Sequence, residues 1–188
     1  RHSEHLHSKL IINYYTFFTF SLLGVIIMKN NFMALTLHFA IIILSMIFLI
    51  IFVVAGPKFG KYTTHIISRL FIVMTIILLY IFAGTLLDIN TSKKRDFFVG
   101  SFIVITGIVL WFYIFSMTGE NLSEITSAIP EELGGYWIIM NIYHAPFIFL
   151  RLFLKLPNIP LLSLIENLFP TLLMGIGLKY KRLKSIKK

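Results

Sequence analysis

The chain has no cysteine and little charge. The absence of cysteine from 188 residues excludes disulfides, thiolate metal sites, CxxC redox chemistry and a cysteine nucleophile together. Charged residues make up 13% of the chain, about half the quarter that a soluble domain carries. Acids are the scarcer sign, with 8 Asp and Glu against 17 Lys and Arg. Catalytic signatures are missing as well: there is no G-x-S-x-G, no H-E-x-x-H and no Walker-type glycine loop. No fixed-period repeat and no low-complexity tract interrupts the sequence.

What fills the chain instead is apolar. Hydrophobic residues account for 57% of it, 19 of them Phe, and the mean hydropathy is +0.87. A soluble domain, at about 45–50% apolar, could not hide that much greasy surface in one small core. The composition therefore predicts an all-α, polytopic integral membrane helical bundle. A bilayer core about 30 Å thick needs roughly 20 apolar residues at 1.5 Å each. Six stretches approach that length: Leu10–Met28, Phe32–Ala55, Leu70–Leu87, Phe97–Met117, Tyr136–Leu154 and Leu161–Leu178. They make a single membrane-embedded domain, residues 1–188. The first is too long for a signal-peptide core and runs into Lys29-Asn30-Asn31 without a small-residue cleavage site.

Two connections stand out. Thr118 to Gly135 is acidic, with Glu120, Glu124, Glu131 and Glu132 and no basic residue; Leu122, Ile125 and Ile129 fall at helical spacing behind Ser123, so a surface helix and an irregular loop are both open readings. Residues 179–188 form a basic tail. Six crossings with both ends cytoplasmic put that tail, Lys58, Lys61 and Arg69 inside, and Lys29, Lys93, Lys94, Arg95 and Lys155 outside. That satisfies the positive-inside rule in total, yet leaves the basic triplet Lys93-Lys94-Arg95 outside. Five crossings remove the conflict if the region after Gly135 crosses only once and one of its two segments is re-entrant or interfacial. In a cell or plasma membrane the tail is expected on the cytoplasmic side. The net charge of +9 then serves orientation and lipid headgroups, and nucleic acid is not an expected partner.

Ionisable groups inside hydrocarbon are costly, so the polar interruptions are the informative positions. They gather in the last two segments. Asn141, His144 and Arg151 are spaced i, i+3, i+10 and share a helix face, which Lys155 extends; Ser163, Glu166, Asn167 and Pro170 do the same in the next segment. The turn Leu156-Pro157-Asn158-Ile159-Pro160 is short enough for an antiparallel hairpin. Counted outward from Asn158, Arg151 and Glu166 fall at similar depth, which predicts an ion pair between them. Pro146 and Pro170 each remove a backbone hydrogen bond within a segment, and broken helices that present backbone groups at mid-membrane are a recurrent binding device in transporters.

These residues, Asn141, His144, Arg151, Glu166 and Asn167, are the expected solute-binding set. They fit a small transporter or a membrane-embedded solute-binding subunit, with the bilayer, other membrane subunits and a small polar solute as partners. Two alternatives stay open: a non-catalytic accessory subunit in which Arg151 and Glu166 are structural, and an intramembrane lipid-modifying transferase using His144 and Glu166 as base and orienter. No cofactor and no metal is expected. His38 could meet His144 around a haem only if their depths matched, and His2, His5 and His7 lie on a terminal run without a thiolate partner. Gly100, Gly107 and the Ala83-Gly84 pair predict that the third and fourth segments pack closely. Tyr14, Tyr15, Tyr136 and Trp137 are placed to act as interface anchors.

Overall fold

Long runs of Ile, Leu, Phe and Met without internal proline leave the backbone one way to satisfy its polar groups in an apolar setting, the i to i−4 helical ladder. The computed structural model describes residues 2–56, 65–89, 93–118, 125–129 and 133–186, with the backbone alone for 2–23, 26 and 94. Among these residues every regular element is helical and there is no strand. In chain order they are α1 (His2–Val54), α2 (Ile66–Leu86), a 3-10 turn (Lys93–Phe98), α3 (Ser101–Met117), α4 (Gly134–Tyr143), α5 (Ala145–Leu154), α6 (Pro160–Glu166) and α7 (Leu168–Ile186).

Three helices are long and apolar enough to cross a membrane: Ile27–Val54 within α1, α2, and the run Pro160–Ile186 formed by α6 and α7. Helix α3 is apolar but shorter, and α4 and α5 are bent by 105° at the residue between them. Their outward faces are greasy, with Phe32, Ile43, Ile47 and Val54 of α1 and Ile67, Phe71, Leu78 and Phe82 of α2 all exposed.

The helix limits differ from the expected segments most in three places. Lys29-Asn30-Asn31 was expected to be a loop between two helices, yet α1 runs through it without a break. The asparagines are buried because distant backbone satisfies them. Asn30 donates to the Asp88 carbonyl and accepts from the Asp88 N–H, and Asn31 accepts from the Phe102 N–H. Lys29 Nζ lies 2.9 Å from Asp88, and that hydrogen bond holds the Asp88 carboxyl below its ordinary value. The segment Tyr136–Leu154 is not one helix but the α4–α5 pair, hinged at His144. Pro146 stands just inside α5, and without an N–H it leaves the Ile142 carbonyl outside the ladder. The last segment likewise breaks at Asn167, three residues before Pro170, and α7 then carries the start of the basic tail as helix to Ile186.

Contacts sort the helix ends. At one end Asn30, Asp88 and the 3-10 turn meet the α7 tail, where Lys181 donates to the Leu87 carbonyl and Arg182 pairs with Asp96 and donates to the Ile89 carbonyl. The tail thus lies beside the 3-10 turn that carries Lys93 and Arg95. At the other end Ile129 N–H donates to the Asn158 carbonyl and Leu161 N–H to the Ile125 carbonyl. Those two bonds tie the chain entering α4 to the chain leaving α5, so the α4–α5 pair goes in and comes back at the same end. Ring contacts agree, because α5 runs back along the second half of α1 through the pairs Phe48–Phe149 and Phe52–Phe153.

Small residues pack differently from the expectation too. Gly84 faces the Met174 backbone and Gly100 faces Thr171, so α2 and α3 use their small residues against α7 instead of each other. Trp137 is no interface anchor: it is buried in a second core cluster with Trp111, Ile114, Phe115 and Met140. The side chains of Tyr14 and Tyr15, the four loop glutamates, the Leu122 part of the surface helix, and Lys58 and Lys61 lie outside the described residues.

Candidate functional site

The hinge at His144 and the break at Asn167 face each other in the interior. His144 Nε2 lies 2.9 Å from Asn167 Oδ1, and both residues are 0% exposed. Asn167 is held in place because its own Nδ2 donates to the Ser163 and Leu164 carbonyls, groups freed by the end of α6. Gly107 of α3 makes the meeting possible. A Cβ there would strike the Asn167 side-chain oxygen and touch the Tyr143 ring, so only glycine lets α3 approach this closely.

From this centre a chain of polar side chains leads outward. The other nitrogen of His144, Nδ1, is 3.2 Å from Glu166 Oε2, and Glu166 Oε1 is 3.1 Å from Arg151 Nε. Glu166 is 3% exposed and Arg151 8%, which makes this an interior ion pair with histidine on its far side. The contacts are close in distance, but neither His144 Nδ1 nor Arg151 Nε makes an aligned hydrogen bond to Glu166, so the Arg151–Glu166 contact is an ion pair by distance alone. Arg151 then reaches the turn: Nη1 donates to Asn158 Oδ1 at 2.7 Å, and Nη2 lies 3.5 Å from Asn141 Oδ1. Asn141, Arg151 and Asn158, with Ile148, Leu152 and Leu156, line a depression of about 280 Å³.

All five residues expected from the sequence therefore fall on one connected path, in the order Asn167, His144, Glu166, Arg151, Asn141. Asn158, which served only as the centre of the turn in the sequence argument, is Arg151's shortest partner. Its position seven residues after Arg151, directly before Ile159-Pro160, was the available signal. The aromatic wall behind His144 was not foreseen either. His38 Nδ1 is 2.9 Å from the Tyr80 hydroxyl and its ring meets Tyr143 edge-on at 4.9 Å, while Tyr143 donates to the Ile103 carbonyl. The Tyr143 ring thus meets both imidazoles, His144 at 5.5 Å between ring centres. Both His144 nitrogens face side chains of the protein, those of Asn167 and Glu166. Among the described residues no three His, Asp or Glu side chains gather as a metal site.

As chemistry, the arrangement offers a buried carboxylate between an imidazole and a guanidinium, and one guanidinium edge presented to a surface depression. His144 and Glu166 are close enough to act as base and orienter, and both are buried. No family model matches the chain, and no similar curated protein or solved structure is found.

Proposed function

We propose that this chain is a multi-pass membrane protein that binds a small polar solute, as a small transporter or as the membrane-embedded solute-binding subunit of one. One observation carries the reading: the bent α4–α5 pair and the α6–α7 run, interrupted at Asn167, meet inside an apolar bundle, and a continuous polar path leads from that meeting point to a depression at one end. Ionisable residues held at such depth line solute or ion paths more often than they decorate lipid-facing surface. In this reading α1 from Ile27, α2, α3 and the α6–α7 run cross the bilayer, and α4–α5 is a re-entrant hairpin. Lys29, Lys93, Arg95 and the tail then share one face, which the positive-inside rule assigns to the cytoplasm. The depression opens on the opposite side. The burial of Glu166 also suits an accessory subunit in which the Arg151–Glu166 pair is only structural.

The two are separated by water access. Because the chain has no native cysteine, a single Leu152→Cys substitution on the rim of the depression gives a thiol without background. A charged, water-soluble maleimide is expected to label it in bilayer nanodiscs, whereas Leu78→Cys, exposed on the apolar face of α2, stays unlabelled. Equal resistance at both positions would mean that the depression faces lipid, and the solute-site reading would fail.

A further inference from the structure

We infer that the solute recognised at this depression is an oxyanion, a carboxylate or phosphate group gripped end-on by Arg151. The inference rests on the solute-site reading above and adds its chemistry. A guanidinium presents two edges that can each hold a pair of oxygens. Glu166 occupies the Nε side. The outer edge, Nη1 and Nη2, carries two neutral amide oxygens, one of them at the long distance of 3.5 Å, and the two asparagines that supply them line the depression together with Arg151.

The rest of the lining fits the same class. Among the described residues that line the depression Arg151 is the only ionisable one, and none of these is acidic. Asn141 and Asn158 can turn their amides to present N–H groups, so an entering oxyanion would exchange two neutral acceptors for charge-assisted bonds and gain two further donors. Ile148, Leu152 and Leu156 supply the apolar wall that strengthens such bonds by excluding water. A cation would meet the guanidinium with no acidic side chain beside it among the described lining residues. A neutral polyol would gain hydrogen bonds but no charge. Glu166, held behind Arg151, tempers the positive potential, so the site is set to release its anion as well as to bind it.

The Leu152→Cys protein in phosphatidylcholine nanodiscs tests this with protection from labelling, using inorganic phosphate and acetate against glycerol and choline at constant chloride ionic strength. Phosphate at several times its dissociation constant is expected to slow labelling about fivefold, as site occupancy dictates. Glycerol and choline leave the rate unchanged. Adding Asn141→Asp places a competing carboxylate at the outer edge without touching the Arg151–Glu166 contact, and is expected to abolish protection while the unprotected rate persists. Adding Glu166→Gln is expected to lower the phosphate needed by about tenfold, roughly 1.4 kcal/mol. Protection in phosphatidylglycerol nanodiscs without added phosphate would identify a lipid headgroup as the source of the oxyanion. Protection by glycerol or choline as strong as by phosphate, or protection that survives both Asn141→Asp and Arg151→Gln, overturns the inference and leaves the solute site standing. A thiol that never labels defeats the solute site itself.

Discussion

Replacing Glu166 by alanine is expected to lower the unfolding free energy by about 3–5 kcal/mol, the cost of stranding a buried charge. Arg151 would keep its two asparagines, but its charge would face His144 and apolar side chains with no carboxylate. Arg151→Ala is expected to cost a similar amount, since Glu166 would retain only the imidazole. The double variant Arg151→Met/Glu166→Met should recover most of the loss, because two apolar side chains of similar length remove both desolvation penalties together. Unfolding followed by loss of helix content in mixed micelles reads all three. What the double variant does not recover is anion protection, which separates the pair's contribution to folding from its place in the site. A single variant as stable as the parent would mean that Arg151 and Glu166 are not coupled.

The second large effect belongs to the contact between α2 and α7. A Cβ at Gly84 would run into the Met174 carbonyl, and one at Gly177 into the Ile81 carbonyl. The obstacle in both cases is backbone, which cannot rotate away as a side-chain tip does. Gly84→Val is therefore expected to exceed the usual overpacking cost of about 1–3 kcal/mol and to separate the helices, freeing Lys181 and Arg182 from the carbonyls of Leu87 and Ile89. Gly24→Ala is the control: nothing lies within 4 Å of its added carbon, so helix propensity should make it neutral or stabilising by up to about 1 kcal/mol. The same unfolding titration compares them, and equal behaviour of the two would show that α2 and α7 are not in backbone contact.

Much of the site was legible because burial cost acts on single residues. An arginine and a glutamate in apolar runs must find partners, and counting from the turn at Asn158 was enough to pair them. The apolar excess likewise announced helices long and apolar enough to span a membrane. Other features depend on partners far away in the chain. Lys29-Asn30-Asn31 looked like a loop because its helical continuation is bought by Asp88 and Phe102, which no local window includes. The return of α5 beside α1 turns on two backbone bonds between residues 125–129 and 158–161, invisible in side-chain spacing. Pro146 marked the place of the break but could not give its size, since a proline in a spanning helix can produce a slight kink or a full reversal. Trp137 shows the limit of position alone: near a segment end it reads as an anchor, until Trp111 covers it.

The α4–α5 hairpin decides where the polar path opens, and single cysteines test it most directly. Ser127→Cys and Pro157→Cys sit on exposed residues before and after the hairpin, and Lys93→Cys and Lys184→Cys on exposed residues at the opposite end. In sealed vesicles of one orientation, an impermeant maleimide is predicted to label positions 127 and 157 from one side and positions 93 and 184 from the other. Labelling of 127 and 157 from opposite sides would mean that α4 and α5 together cross the membrane, and the re-entrant site would be contradicted.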